Sequence, residues 1–192
     1  MEPGYYYHIY KDANGTENIF REDENYQFFP RQYARYLDEV VNTYAYCLIP
    51  NHFHLLVGVK EEEQLKSTFP KFGTLEKLIS KQFANFFSSY TQSFNKVYDR
   101  RGSLFVKNFK RTPILDERQW QETFLYIHLN PVKHGFVKDH QDWKWSSWHA
   151  YQSLNRPLNL NRAYFNNFFD GWEHVRNIIE VKKEWLMNKN LE

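Results

Sequence analysis

Residues 44–59 read YAYCLIPNHFHLLVGV and contain two strand-like runs on either side of a short polar turn. Each run is rich in aromatic and aliphatic side chains, which favour strands. Pro50 and Asn51 separate the runs and are typical turn residues. The stretch therefore predicts a tight antiparallel hairpin with strands at 44–49 and 52–59.

The patterns outside the hairpin predict six further elements. Strand formers precede an Asn-Gly turn near the N-terminus, and apolar side chains recur at helical spacing in several later segments. The expected elements are a strand at 5–10, helices at 31–41 and 74–94, a strand-like run at 104–106, a helix from Asp116 to Pro131 and a C-terminal helix at 171–187. Pro30 is expected to begin the first helix, and Pro131 to stop or kink the third.

The order of these elements is that of an α+β sandwich in which helices cover antiparallel strands. The sequence changes character beyond residue 155, so we predict one domain over 1–153 and a C-terminal helical extension over 154–192. The length of 192 residues is sufficient for a sizeable core.

The composition excludes several classes of protein. Aromatic residues make up 19% of the chain, which excludes disorder even though the mean hydropathy is −0.76. There is no apolar run long enough to span a membrane and no signal-peptide pattern, so we expect a cytoplasmic protein without membrane contact. A single cysteine, Cys47, excludes a disulfide framework and a cysteine-built zinc site, and its apolar neighbours indicate a buried, inert thiol.

His52 and His54 form the first candidate site. Side chains alternate between the two faces of a strand, so these imidazoles point the same way, while Phe53, Leu55 and Val57 point to the other face. Imidazole is the commonest metal ligand among side chains, and the pair can present two nitrogens to a divalent ion. The alternative is two half-exposed, hydrogen-bonded histidines.

Tyr126 and Asn130 form the second candidate site. They are four residues apart on a predicted helix and share a face with Glu122. The alternative is a surface tyrosine and an asparagine placed near the helix end. Five histidines lack comparable partners and are predicted to be ordinary surface or packing residues: His128, His134, His140, His149 and His174.

Positive residues concentrate between Lys96 and Arg111, although the net charge of the whole chain is only +2. The candidates for phosphate contacts are Lys107, Lys110 and Arg111, together with Arg100 and Arg101. Phe105 and Phe109 lie within this run and could stack on unpaired bases. The alternative is a solvated charged surface.

Several blocks in order resemble the REP-associated branch of the single-tyrosine HUH transposases. The segment 48–56, LIPNHFHLL, is similar to the His-hydrophobic-His signature of those enzymes. The further similar blocks are GSLF at 102–105, FK at 109–110, YIHLNPVK at 126–133 and WSS at 145–147. The resemblance covers about residues 5 to 150.

This resemblance implies a ferredoxin-like core and a divalent metal held by His52, His54 and Asn130. It also implies that Tyr126 is the nucleophile, and that the substrate is single-stranded or hairpin DNA. The acidic loop 12–24 lacks an Asn-Arg pattern found in many relatives, and residues 155–192 have no counterpart in the shortest ones.

The expected reaction is attack of Tyr126 on a scissile phosphate, which leaves a 5′-phosphotyrosine and a free 3′-OH. Open coordination positions and imidazole and amide ligands suit Mg²⁺ or Mn²⁺, which would neutralise the phosphate. Two alternatives stay open: a domesticated module that binds hairpin DNA or RNA without cutting it, and a metallohydrolase acting on small molecules. Either a monomer or a homodimer is compatible with the sequence.

Overall fold

A computed structural model describes residues 1–65, 74–152, 160–162 and 165–189 of the chain. The strands are β1 (Tyr6–Asp12), β2 (Val41–Ile49), β3 (His52–Val59) and β4 (Lys110–Ile114). The helices are α1 (Asp23–Leu37), α2 (Leu75–Val97), α3 (Glu117–Lys133), α4 (Trp148–Gln152), α5 (Phe165–Phe168) and α6 (Trp172–Lys189). Short 3-10 turns lie at Glu62–Gln64 and His140–Asp142.

The four strands form one antiparallel sheet in the order β2-β3-β1-β4. β2 and β3 are joined by the turn at Pro50 and Asn51, which confirms the predicted hairpin. The first six elements follow the βαββαβ order of ferredoxin-like folds. The predicted α+β sandwich is therefore confirmed.

Two different layers cover the sheet. α1 and α2 pack on one face, which we call the α1/α2 face, and α3 packs on the other, which we call the α3 face. Successive side chains of β3 point to opposite faces. Phe53 and Leu55 join the core under α1 and α2, whereas Leu56 joins the core under α3. This alternation gives each face a distinct set of side chains from the same strand.

α1 differs from the helix expected at 31–41, because it begins eight residues earlier and ends at Leu37. Pro30 lies inside this helix and does not begin it. Tyr26, Phe29 and Tyr33 are buried along the inner side of α1, so the apolar stripe extends to both sides of the proline. Burial of these rings offsets the backbone hydrogen bond that Pro30 cannot donate.

The strand-like run at 104–106 was the wrong choice for the fourth strand. Phe105 makes a single isolated bridge to Ala13, whereas the strand that completes the sheet is β4. β4 reads KRTPI and is exposed except at Ile114, so it has little apolar alternation for a sequence pattern to detect. Its position at the edge of the sheet also accommodates Pro113, which has no N–H to donate.

α2, α3 and α6 lie close to their predicted positions, but Pro131 does not stop α3. Asp116 caps α3 by accepting a hydrogen bond from the Gln119 N–H at 2.7 Å, and α3 continues through Pro131 to Lys133. α6 buries Val175 and Ile179 in the same cluster as the aromatic side chains of α3. The predicted boundary at 153/154 falls among residues 153–159, outside the described part of the chain, and stays a prediction.

Cys47 is completely buried, as its apolar neighbours predicted. Across the described helices, none combines the length and apolar character that a membrane crossing requires.

Candidate functional site

β3 places His52 and His54 on the α3 face of the sheet, where they are 7% and 4% exposed. Their ring centroids are 5.0 Å apart and the rings are nearly perpendicular. The predicted convergence of the two imidazoles is therefore confirmed. Both lie deeper than the half-exposed histidines of the alternative interpretation.

A third histidine, His8, joins this pair and was missed by sequence reasoning. Its Nε2 lies 2.9 Å from Nδ1 of His54, and the two rings stack. His8 and Tyr10 point to the α3 face because β1 pairs with β3 in a register that puts Tyr10 opposite His54. Strand alternation could have placed His8 and Tyr10 on one face, but it could not show which strand would lie beside them.

α3 brings Tyr126 and Asn130 to the histidines. The Tyr126 ring is 5.4 Å from the His54 ring and 5.8 Å from the His8 ring, both in edge-on geometry. Asn130, one turn further along, is fully buried, and its Oδ1 lies 3.1 Å from Nε2 of His52. One helix thus delivers a phenol and an amide to the same cluster.

Lys133 is a second residue that sequence reasoning did not assign to the site. Its ammonium group donates to the Tyr126 hydroxyl at 3.3 Å and lies 4.8 Å from the centre of the Tyr126 ring. The spacing of seven residues places Lys133 two helical turns from Tyr126 on one face, so helical periodicity could have indicated this contact. The ammonium is positioned to stabilise negative charge on the phenol oxygen.

Burial keeps the site histidines neutral near pH 7. It lowers the pKa of His8 to about 4 and is the largest cause of the lowering of the His52 pKa to about 4. The pKa of His54 lies well below its ordinary value because of burial and of the neighbouring His8 and His52. Neutral imidazoles retain a free electron pair, which is the form that binds metal ions.

The hydrogen bonds of His52 leave a position that suits a cation. Its Nδ1 lies 2.9 Å from the Asn51 side-chain oxygen, and its Nε2 faces the Asn130 oxygen. A neutral imidazole has one N–H, so it can donate to only one of these two oxygens. The second nitrogen and its oxygen then face each other with electron pairs, and a cation between them would remove this repulsion. Rotation of the Asn130 amide would remove it too, because Nδ2 would then face the ring. Nε2 of His54 is also buried without a hydrogen-bond partner in the described residues, so the donor set fits a divalent ion.

His134 is exposed, as predicted, but it also lies beside the candidate site. This residue begins the turn after α3, and its ring lies 4.8 Å from the His52 ring, so it borders the site. His128 agrees with its predicted packing role. It is fully buried and makes hydrogen bonds to the Phe124 carbonyl at 2.8 Å and to the Ser147 hydroxyl at 2.7 Å.

The structure separates the members of the predicted basic patch. Arg100 donates to Glu17 at 3.1 Å, to Asn95 at 2.7 Å and to the Ser103 carbonyl at 3.1 Å, so it holds the local chain together. Lys110 lies near the site, 5.3 Å from the Tyr10 ring and 3.6 Å from the Asp12 carboxylate.

The other three members, Arg101, Lys107 and Arg111, are exposed. Their exposure leaves them accessible to a ligand, although no contact in the structure assigns them that role.

Asp139, His140 and Glu180 form a second group of potential metal ligands, with ligand atoms within 4.8 Å of one another. The ammonium group of Lys183 already lies 2.5 Å from Asp139 and 2.6 Å from Glu180. Lys183 therefore already forms an ion pair with each carboxylate of this group, and a metal ion there would have to compete with its ammonium.

The fold and the site together define a class: a ferredoxin-like sheet with a buried histidine pair and a tyrosine presented by a covering helix. No family model matches the chain. The chain is similar to a protein of Haemophilus influenzae (strain ATCC 51907 / DSM 11121 / KW20 / Rd) named "Putative REP-associated tyrosine transposase", with 29% identity over 109 residues. This match covers 56% of the chain and 58% of that relative, so the chain matches a little over half of the relative's length.

A solved structure shows the same fold. It is the structure of a REP-associated tyrosine transposase bound to a REP hairpin, and it covers 82% of this chain and 86% of its own with a TM-score of 0.61. The sequence identity over this match is 17%, so the match is evidence for the fold alone. The sequence comparison confirms the resemblance inferred from the sequence blocks, and the structural comparison confirms the fold that the resemblance implies.

Proposed function

We propose that this protein is a metal-dependent tyrosine transposase that cuts and rejoins single-stranded DNA next to a hairpin. The observation that carries the proposal is the meeting of α3 with β3, which puts Tyr126 beside His54 and Asn130 beside His52. The similarity to a REP-associated tyrosine transposase supports DNA as the substrate. A cytoplasmic location follows from action on the chromosome and stays part of this proposal.

His52, His54 and Asn130 would hold the divalent ion, Mg²⁺ or Mn²⁺. Nε2 of His54 has no hydrogen-bond partner among the described residues, and Nε2 of His52 faces an amide oxygen, so these three groups offer electron pairs at one place. When bound, such an ion neutralises negative charge on the scissile phosphate. Imidazole and amide ligands leave further positions open for phosphate oxygens.

Tyr126 is the nucleophile of the proposed reaction. A bond forms between the Tyr126 oxygen and phosphorus as the bond from phosphorus to the 3′ oxygen breaks, leaving a 5′-phosphotyrosine and a 3′-OH. The phenol loses one proton and the departing 3′ oxygen gains one, so the reaction needs no other reagent. Lys133, which donates to the phenol oxygen, favours the negative charge that develops there.

DNA would approach over the edge of the sheet formed by β4. Lys110 lies on the α3 face of that strand, Arg111 is exposed on the same strand, and Arg101 and Lys107 are exposed in the segment that precedes it. These four cations are the proposed phosphate contacts. Arg100 is left out because Glu17 and Asn95 already occupy its guanidinium.

The experiment is to incubate the full chain with labelled single-stranded oligonucleotides carrying hairpins, with and without Mn²⁺. We expect a protein–DNA adduct that survives denaturation, needs the metal and is lost in Tyr126→Phe. Tyr10→Phe is the matched control, because Tyr10 also stacks on His54 but is not the proposed nucleophile. Tyr10→Phe should retain the adduct.

Each alternative predicts a different outcome. Hairpin binding without any adduct would replace the proposal with a non-catalytic binding module. Cleavage by Tyr126→Phe at the wild-type rate would instead indicate a hydrolase that uses metal-activated water.

A further inference from the structure

A groove of about 690 Å³ lies between α2 and residues 103–111, away from the candidate site. Phe87, Phe105 and Phe109 line it. The Phe87 ring is 5.5 Å from the Phe105 ring and 5.6 Å from the Phe109 ring, so the three form a continuous aromatic wall. Phe87 and Phe109 are only partly buried, which leaves aromatic surface accessible from the groove.

The charge of the groove is positive. Lys11, Lys107 and Arg111 line it, and none of its described lining residues is acidic. Lys11 is 4% exposed; its ammonium donates to the Val106 carbonyl at 2.7 Å and lies 4.7 Å from the centre of the Phe87 ring. An ammonium has three N–H groups, and a buried cation is stabilised by an anion nearby. The groove therefore suits a ligand that is both flat and negatively charged.

The wall formed by α2 leaves room for such a ligand. Ser80, Ala84 and Ser88 follow one another at single-turn spacing along the groove, and all three are exposed. Thr91 and Gln92 continue the wall with groups that can donate and accept hydrogen bonds. The volume is in the range of ordinary ligand pockets.

β4 connects this groove with the candidate site. Successive residues of the strand alternate between faces, so Lys110, opposite Tyr10, lies on the α3 face and Arg111, opposite Ile9, lies on the α1/α2 face. Lys110 is 5.3 Å from the Tyr10 ring, and the Arg111 guanidinium is 5.8 Å from the Phe109 ring. A strand of DNA that crosses this edge would meet a cation on each side of the sheet.

We propose that the groove binds an unpaired nucleotide of the DNA strand that reaches Tyr126, with its base on the Phe87 and Phe109 rings and its phosphate at Lys107 and Arg111. Single-stranded nucleic acid is bound in this way by aromatic platforms inside positive grooves. The inference rests on the proposed function, since it assigns a second contact to the same DNA substrate. The DNA would pass from one face of the sheet to the other around β4.

The test measures DNA affinity without cleavage. Fluorescence anisotropy in the presence of a chelator would follow binding of labelled hairpins whose single-stranded thymidine flanks are shortened one nucleotide at a time from either end. For the wild-type chain, affinity should fall stepwise when the flank becomes too short to reach the groove. A flank whose length has no effect on affinity would overturn the proposal.

Ala84→Glu is the main variant, because it adds a negative charge at an exposed helical position in the groove wall. It should weaken binding of the long-flank hairpin about tenfold and leave the shortest hairpin unchanged. Asn85→Glu adds the same charge at the next position of α2, outside the groove lining, and serves as the control. Equal affinities of Ala84→Glu and wild type for the long flank would overturn the assignment.

Phe109→Leu gives an independent measurement, because it removes an aromatic face while keeping apolar bulk against Phe83. The length dependence should become weaker in this variant. The adduct assay with Mn²⁺ separates the two proposals. A wild-type adduct with no effect of Ala84→Glu or Phe109→Leu would remove the groove and keep the nucleophile. Flank-dependent binding with no adduct would keep the groove and overturn the assignment of Tyr126 as the nucleophile.

Discussion

The two faces of the sheet bury different kinds of side chain. The core of the α1/α2 face is built of aromatic rings, with Phe29 contacting Phe53 at 4.9 Å and Phe86 at 5.0 Å between ring centroids. The α3 face also has an aromatic core around Trp120 and Phe124, but it buries the polar side chains His52, His54 and Asn130 as well. An unpaired buried polar group costs about 1–3 kcal/mol, so the α3 face retains groups that do not favour folding. The apolar cores on both faces therefore supply the stability that keeps this polar cluster buried.

His54 provides the largest expected effect on activity. Replacement by alanine removes an imidazole nitrogen that is buried without a partner among the described residues, and with it the proposed ligand. Adduct formation in His54→Ala should fall about 1000-fold, since metal stabilisation of a transition state is worth several kcal/mol. The change in unfolding free energy should stay within about 1.5 kcal/mol, the value of the lost hydrogen bond to His8. Single-turnover kinetics and urea denaturation measure the two effects.

Phe53, the neighbour of His54 on the other face, should show the opposite behaviour. Phe53 is fully buried between α1 and α2, and Phe53→Ala should lower the unfolding free energy by about 3–5 kcal/mol. The rate of adduct formation per folded molecule should change little. Phe53→Leu, which removes less volume, allows the rate to be measured if the alanine variant does not fold. A large loss of rate in stable Phe53→Leu would show that the two faces are not separable.

The next largest expected effect is a fall in the unfolding free energy at acid pH, caused by buried histidines on the α3 side of the sheet. Burial is the largest cause that lowers the pKa of His128 to about 3 and that of His140 to about 4, and neither is a proposed ligand. Because the unfolded histidines bind protons near pH 6.5, the unfolded state takes up more protons as pH falls below that value. The stabilisation is therefore complete above about pH 6.5 and is lost progressively towards pH 4, by about 1.4 kcal/mol for each pKa unit.

Urea denaturation between pH 7.5 and 4.5 measures this loss. His128→Gln should make the unfolding free energy depend less steeply on pH. His174→Gln should leave this pH dependence unchanged, because the side chain of His174 is 42% exposed. An unchanged pH dependence in His128→Gln would contradict the assignment of acid sensitivity to His128.

The smallest expected effects are those of replacing two neighbouring arginines, Arg100 and Arg101. Arg100 is tied to Glu17 and Asn95, so Arg100→Ala should lower the unfolding free energy by up to about 1 kcal/mol. Arg101 is exposed, and Arg101→Ala should instead weaken binding of a single-stranded oligonucleotide and reduce its salt dependence. Anisotropy at two salt concentrations and urea denaturation separate these roles. Equal DNA-binding losses in both variants would assign Arg100 to the interface as well.

Much of the fold was predictable because it depends on local patterns. The hairpin at 44–59 combines strand formers with turn residues, and α2 and α3 carry apolar side chains at helical spacing. The position of β4 was not predictable, since an exposed edge strand carries almost no pattern of burial. α1 was misplaced because Pro30 is usually found at helix starts, whereas here buried rings on both sides keep it inside the helix.

The candidate site divides in the same way. Alternation along β3 and the four-residue spacing along α3 determined from the sequence alone that His52 pairs with His54, and Tyr126 with Asn130. Only the tertiary structure could bring these pairs together, add His8 from a strand 46 residues away and show that Arg100 is hydrogen-bonded to Glu17. Short-range spacing is fixed by backbone geometry, whereas these contacts depend on strand register and helix packing, which form only when the whole chain folds.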